Sequence, residues 1–441
     1  MSAFVLMFFA TLFSLALHRT FVFKPFVLLM IVLSGFLIFL KTPVLMYGFA
    51  QSSATNLFLL VIFIALLAFT LSEDKEINIT QSLFIGAASV LLLRGTTLLT
   101  FVFSFEAVSI ISFAVVGHIR SSIQADGAVK MFISGALATA LIVLGLALFT
   151  FGGGNFNLSL SNIHFNALME VGLWVMLAGI FYKLTIVPMH SWAADSYANI
   201  KPSSAALLSG IAKSVVFVAV LKLFEPFFIQ TLHVSIFILI VLSVLTMTLG
   251  NILAMFQKRV GKMLAYSSIA QAGYMLMVFI AVKDSYAQIG LLYLAIAYVF
   301  MQTALYLLLD NIGGGISDIT LDDVKGLVKK DRLVSLFFAI QIFSLAGVPL
   351  LAGFMGKAIA TYAVVDAGYW IVALIALLNS TFSIGYYGWF IKNIYFDHSV
   401  KQSRVISVST SAKIAQIILL GGTLFFGIFA FAVFHTSFCS L

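Results

Sequence analysis

Charge is what this sequence has least of. Of its 441 residues, 9% are Asp, Glu, Lys or Arg, 62% are hydrophobic, and the mean hydropathy is +1.14. A soluble domain carries roughly 25% charged residues. That excludes a sizeable soluble domain, and the expected fold class is an all-α polytopic membrane protein. Cysteine is nearly absent, Cys439 being the single one. A disulfide framework and a thiolate metal site are therefore excluded. Proline is scarce too, with six residues, so each one inside an apolar run carries information. The net charge of +8 does not indicate nucleic acid, because the basic residues are scattered over short loops.

What is present is a series of apolar runs. A span needs roughly 20 apolar residues. About fourteen runs qualify, near 3–17, 23–40, 54–72, 79–94, 97–117, 127–150, 167–198, 203–224, 233–256, 261–281, 286–309, 333–366, 369–393 and 412–434, the seventh and twelfth being broken. The run over 4–16 has no charged leader and no small-residue cleavage site, and it reads as a retained span. Odd-numbered loops hold 17 of the 24 Lys and Arg residues, even-numbered loops hold 4, and Lys183, Lys213 and Lys357 lie inside spans. Such a bias puts the odd loops on the cytoplasmic or matrix side. Both termini are then expected on the periplasmic or intermembrane-space side.

The chain also repeats itself. Gly152-Gly153-Gly154 recurs as Gly313-Gly314-Gly315 and Val187-Pro188 as Val348-Pro349, both at an offset of 161 residues. The shift carries spans four to eight onto spans nine to thirteen. Each unit has five helices with the fourth broken, and an odd number inverts the second unit in the membrane. Inverted repeats with broken helices are a transporter signature. The expected organisation is three leading helices over 1–78, one five-helix repeat over 79–224, a second over 225–398, and a loop with a final helix over 399–441. No Walker lysine follows either glycine triplet, so they read as loop punctuation.

The stretch from Gly179 to Lys213 concentrates the chemistry. Lys183 lies in an apolar run five residues before Pro188, which removes a backbone donor. His190, Trp192 and Asp195 follow, and Pro202 opens the run that carries Lys213. A broken helix flanked by buried lysines is tolerated in lipid where it lines a cavity or is covered by protein. Glu106 is the one acid expected inside an unbroken span. It is either half of an ion pair with a buried lysine or a neutral acid held by a hydroxyl. Lys183 sits between burial and a carboxylate, the two opposing influences on its proton; the alternative is snorkelling to the interface. Lys213 and Lys357 invite the same comparison. Lys357 follows the second break, at Pro349, and no acid accompanies it in the second repeat. Its shifted counterpart is Ser196, and those of Lys183 and Glu106 are Ser344 and Ser267, so the halves are not duplicate sites. His190 can relay protons or bond a carbonyl freed by Pro188. It has no partner at ligand spacing, so a metal is not expected. Lys262 opens a polar stripe through Tyr266, Ser267, Gln271 and Tyr274 and is either an interface anchor or part of the path. Asp195 is a candidate cap for the helix piece after the break.

These stretches resemble a known family. FYKLTIVPMHSWAADSY, GNILAMFQKRVGKMLAYSSIAQAGYML, DVKGLVKKDRLVSLFFAIQIFSLAGVPLLAGFMGK and the span around SFEAVSII are similar to the antiporter-like membrane subunits of respiratory complex I, and among those to the subunit 2 (bacterial N) type. The resemblance runs from about Phe101 to Tyr387. It departs at ANIKPSS, where relatives usually have glycine or alanine before the proline, at Pro349-Leu350 for a double proline, and at Lys330-Asp331. It implies that Glu106, Lys183, Lys213 and Lys357 are proton-translocating groups of a non-redox subunit of an NADH:ubiquinone oxidoreductase. FMN, iron–sulfur clusters, NADH and ubiquinone would be handled by other subunits, with no cofactor bound by this chain. No flavin, iron–sulfur or nicotinamide motif is found here, in agreement. Implied partners are the subunit 4 (M) type and the small subunit 4L (K) type of the membrane arm, and lipid. The implied location is the mitochondrial inner membrane, or alternatively a bacterial plasma membrane. The competing function is a subunit of a multisubunit cation/proton antiporter, which shares the fold and the ion residues.

Overall fold

In lipid each backbone polar group must be bonded within the protein, which leaves helix as the economical solution for this composition. The structure, a computed structural model, describes residues 2–17, 20, 22–38, 52–117, 122–158, 165–315, 318–397 and 407–430. Its helices are α1 (Ser2–Ala16), α2 (Phe23–Leu37), α3 (Ser53–Ser72), α4 (Glu76–Arg94), α5 (Leu98–Val116), α6 (Ser122–Phe151), α7 (Ala167–Lys183) and α8 (Ser191–Asn199). A single long helix follows, made of α9 (Pro202–Ala205), a π-helical stretch (Ala206–Ala212) and α10 (Lys213–Gln230). Then come α11 (Leu232–Met255), α12 (Val260–Met277), α13 (Ser285–Gly313), the short α14 (Leu327–Lys330), α15 (Arg332–Ala346), α16 (Ala352–Asp366), α17 (Trp370–Tyr395) and α18 (Thr410–Ile428). Among the described residues, 10 helices are long and apolar enough to cross a membrane, and α1, α2 and α15 are apolar but shorter. Each expected run coincides with a helix or with two halves of one. The fourth is longer than expected, beginning at Glu76, and the last part of the fourteenth lies outside the described residues.

Local chemistry sets the ends. Ser52 with Thr55, and Thr97 with Thr100, form reciprocal capping boxes on α3 and α5. Asp284 and Asp331 accept from the first-turn amides of α13 and α15. The glycine triplets do punctuate: Gly153 ends α6 at φ 86° and Gly314 ends α13 at φ 58°, a conformation that favours glycine. The two helix breaks fall at 184–190 and 347–351. Each contains a non-glycine residue in the left-handed region, Thr185 (φ 64°) in the first and Leu350 (φ 71°) in the second. Such residues cost of order 1–3 kcal/mol and persist only where packing dictates them.

Burial is graded. α13 is covered on every side, and α12 and the α9–α10 helix nearly so, while α6, α11 and α17 turn apolar side chains such as Phe132, Phe237 and Trp389 outward. The polar residues of interest are therefore on the central helices. α6 and α7 pack closely because a methyl on Gly172 would lie 2.5 Å from the Phe149 amide. Polar contacts sort the loops into two ends. Lys201, before α9, meets Glu73 between α3 and α4 and Asp310 at the end of α13. Lys413 at the start of α18 meets Asp331. At the opposite end Arg94 bonds the Ile38 carbonyl and Asn56, and Lys222 bonds the Leu93 carbonyl.

Candidate functional site

Each of the two deeply buried lysines serves one helix break. Lys213 begins α10 directly after the π-helical stretch and is 3% exposed. Its Nζ donates to Thr185 Oγ1 in the first break at 2.6 Å, to the Ser268 carbonyl at 2.8 Å and to Ser268 Oγ at 3.0 Å. Ser268 Oγ also accepts from Tyr298 at 2.7 Å and from Ser209 at 3.0 Å. Lys357 on α16 is 7% exposed. Its Nζ donates to the Leu345 carbonyl at 2.8 Å and to Ser380 Oγ at 3.1 Å, and it lies 4.8 Å from the Tyr274 ring centroid. Carbonyls at the end of α15, freed by the second break, thus receive a cation where a helix C-terminus favours one. Lys357 has neutral partners. The expectation that it stands without an acid agrees with this, but it is not unpartnered.

One helix touches both. On α12, Ser268 serves Lys213, while Tyr274 stacks under Lys357 and Gln271 Nε2 donates at 3.3 Å to the same Leu345 carbonyl that Lys357 uses. Six residues separate Ser268 from Tyr274, about 9 Å of helix. Ser267 pairs with Tyr387 at 2.5 Å. The polar stripe expected on span ten is real and links the two breaks.

Glu106 and Lys183 face one side of α5 without touching. Both Glu106 carboxylate oxygens accept from Thr139 Oγ1 on α6 at 3.0 Å. The Lys183 Nζ is buried, has no hydrogen-bond partner among the described residues, and lies 5.2 Å from the ring of Phe113. Phe113 is seven residues on from Glu106, the same helix face, so the two charges act on each other across a gap. Of the alternatives for Glu106, the hydroxyl partner is the one in contact. A small cavity with room on the order of one water lies between Lys183 and Lys213, lined also by Ser112, Tyr197 and Leu208.

Other expectations need correction. Asp195 does not cap α8, because it sits in mid-helix; it pairs instead with Lys130 at 2.9 Å and Lys262 at 3.1 Å. Lys262 is therefore in an ion pair tying α12 to α8, and it is not a free interface anchor. His190 opens α8, and its Nδ1 lies 3.3 Å from the Pro188 carbonyl. Glu106 is not the one acid within an unbroken helix: Glu225 lies in α10, which runs through Pro226 to Gln230, and Asp310 lies in α13. Both lie one residue beyond the apolar runs 203–224 and 286–309, because hydropathy fades before the helix ends.

The largest omission is a buried charge cluster. Glu73 is 3% exposed. It accepts from Lys201 at 2.6 and 2.8 Å, from Ser203 Oγ at 2.7 Å, from Asn78 at 2.9 Å and from the Asp74 and Lys75 amides. Burial alone pushes such a carboxyl up; Lys201 and the donors outweigh it and hold Glu73 below the ordinary carboxylate range. Asp310 Oδ2 lies 3.2 Å from the same lysine. The one sequence signal was ANIKPSS, where Lys201 takes the place of a small residue.

Residues 95–383 match the family described as NADH:quinone oxidoreductase/Mrp antiporter, TM. The chain belongs to this family of proton antiporter-like membrane subunits. It is 32% identical over 355 residues to NADH-quinone oxidoreductase subunit N of Trichlorobacter lovleyi, covering 78% of this chain and 73% of that one. It is 31% identical over 386 residues to F(420)H(2) dehydrogenase subunit N of Methanosarcina mazei, covering 84% and 78%. Among solved structures, a chain of respiratory complex I from Thermus thermophilus with bound aureothin superposes at a TM-score of 0.86, with 25% identity and 98% of both chains covered. A chain of the Mrp complex from Dietzia superposes at 0.82 with 17% identity, which shows that the antiporter-like subunit shares its fold with Mrp proteins.

Proposed function

We propose that this antiporter-like subunit is the N-type, proton-translocating membrane-arm subunit of an NADH:quinone oxidoreductase. Its chain crosses the membrane about fourteen times, as three leading helices, two inverted five-helix repeats (α4–α10 and α11–α17) and the final α18. The match of both helix breaks under one 161-residue shift and the sorting of loop contacts into two ends support that topology. The observation that carries the function is the pair of buried lysines, one at each break, joined through the polar face of α12. A buried lysine amine exchanges a proton readily when its surroundings shift. Glu106 and Lys183 supply a charge pair whose separation alters the field on Lys213. Lys213 passes its proton along α12 to Lys357, and the second break leads it onward. Asp195 and Lys262 hold α8 and α12 together, and His190 fixes the first break through the Pro188 carbonyl.

Redox chemistry falls to other subunits, which would hold FMN, iron–sulfur clusters and the quinone site; this chain binds none of them. M-type and K-type membrane-arm subunits cover its outward apolar faces, with lipid. The relatives above come from a bacterium and an archaeon, and that favours the plasma membrane over the mitochondrial inner membrane. The second reading, a multisubunit cation/proton antiporter, has the Mrp fold in its support. Purification separates them: flavin and iron–sulfur absorbance should travel with this chain. In inside-out vesicles NADH should drive proton uptake, and Lys213→Met should abolish it. A chain that purifies without redox centres and exchanges cations for protons would establish the second reading instead.

A further inference from the structure

The helix carrying the least lipid-exposed surface also carries a file of polar side chains. On α13, Tyr298, Gln302, Tyr306 and Asp310 are spaced by four residues, so they line one face, about 18 Å long. All four are buried. The inner end reaches the lysine site: Tyr298 hydroxyl donates to Ser268 Oγ at 2.7 Å, and Gln302 Nε2 donates to Ser209 Oγ at 3.2 Å. Tyr306 hydroxyl donates to the Gly261 carbonyl at 3.3 Å. The outer end is Asp310, which shares Lys201 with Glu73 at the mouth of a cleft lined by Ser72, Lys75 and Asn311. Two acceptors of this file, Gln302 Oε1 and Asp310 Oδ1, are buried with no partner among the described residues. Buried orphan acceptors are rare and mark positions where a water or a proton is accommodated.

The two acids of the cluster are not equivalent. Glu73 spends both oxygens on six hydrogen bonds from five donors and stays a carboxylate. One lysine neutralises one of two carboxylates, so the cluster is neutral when Asp310 holds a proton and carries one negative charge when it does not. Asp310 is thus the member whose free oxygen, Oδ1, can take a proton and remove a buried charge while Oδ2 stays beside Lys201.

We propose, resting on the proton-translocating reading above, that Asp310 is the proton-intake acid for Lys213, and that the α13 face is its route. Solvent in the cleft protonates the Asp310 carboxylate. The carboxylic acid passes a proton to the Tyr306 end of the file, and each hydroxyl or water that takes one proton releases another. The Tyr298–Ser268 pair delivers a proton to the neutral Lys213 amine, leaving lysinium there and carboxylate at Asp310, so charge and protons balance. Gln302 orients the file and does not itself transfer a proton. The π-helical stretch before Lys213 turns Ser209 toward this face, in keeping with the occurrence of such bulges at functional sites.

The test uses the whole complex in inside-out vesicles driven by NADH. Asp310→Asn should assemble and lose proton uptake by about a hundredfold or more, the scale of a missing proton-transfer group. Millimolar formate or azide, small weak acids that fit the cleft, should restore uptake. Asp310→Glu should retain it. Normal uptake by Asp310→Asn, or a loss that no weak acid restores in an assembled complex, would overturn the proposal. If Asp310→Asn does not assemble, Tyr306→Phe removes one buried hydroxyl and must show slowed uptake; a normal rate there overturns the route. Lys213→Met keeps the two readings apart. If it pumps normally, the proton-translocating role itself falls; if it is inactive while Asp310→Asn is normal, only the intake assignment falls.

Discussion

Replacing Lys357 tests the exit half of the path, and the structure sets how much stability is at stake. Two close bonds, to the Leu345 carbonyl at 2.8 Å and Ser380 Oγ at 3.1 Å, are worth about 3–6 kcal/mol together at the usual scale for charged donors. The Tyr274 ring adds about 2 kcal/mol when desolvated. Against this stands the cost of stripping water from an ammonium, several kcal/mol. Methionine at this position would keep most of the bulk. It also strands no acceptor: the Leu345 carbonyl retains Gln271 at 3.3 Å, and the Ala346 carbonyl retains Ser380 at 3.1 Å. The net change for Lys357→Met is therefore within about 2 kcal/mol of zero, and the complex should assemble. Proton uptake per NADH should collapse. Lys357→Arg keeps the charge but cannot release its proton, so it should fail as well. Assembly is read from a native gel and uptake from a pH-sensitive dye in inside-out vesicles. Normal uptake by Lys357→Arg would refute the reasoning and make Lys357 an electrostatic prop.

Glu106→Gln keeps a group that Thr139 can still bond, so assembly should persist while uptake falls; unchanged uptake would remove the charge pair from the mechanism. Glu73→Gln leaves Lys201 with Asp310 alone, and breaking such a buried pair costs about 3–5 kcal/mol, measured as a lower melting temperature of the purified complex. Because the folded Glu73 carboxyl sits below its ordinary range, its contribution is complete above about pH 4.3 and is lost as pH falls through the folded value; the variant should lack that acid step. Gly172→Val should push α6 from α7 at a cost of about 1–3 kcal/mol, seen as reduced assembled yield, whereas Gly385→Ala, with nothing within 4 Å of the added carbon, should be silent.

Much of this was legible one residue at a time. Apolar runs located the helices because lipid leaves the backbone little choice, and Pro188 and Pro349 located both breaks because proline cannot donate. Lys183, Lys213 and Lys357 stood out because charge in an apolar run is costly. What stayed hidden was contact between distant segments. Glu73 and Lys201 are 128 residues apart, and each, read locally, is an ordinary loop charge. Asp195 looked like a cap because a carboxylate near a proline break has a local explanation, while its partners Lys130 and Lys262 come from other helices. The α13 file is not visible locally because a few tyrosines and glutamines leave the run's hydropathy high among its leucine, isoleucine, alanine and other apolar residues.

The position of α13 in the bundle bears on how the chain is made. Its polar face meets Glu73 through Lys201, and directly Lys201, Ser209, Gly261 and Ser268. All of these are earlier in the sequence. Its opposite face meets α16 and α18, still to come, mostly through small or apolar residues: Gly290 against Ala360, Leu294 against Gly356, Met301 against Gly353 and Phe300 against Gly422, with the Tyr293 hydroxyl on the Phe426 carbonyl as a polar exception. During vectorial insertion, then, the hydrophilic side of the nascent helix finds its partners already in place. The side left waiting is one that acyl chains can coat until the last helices arrive.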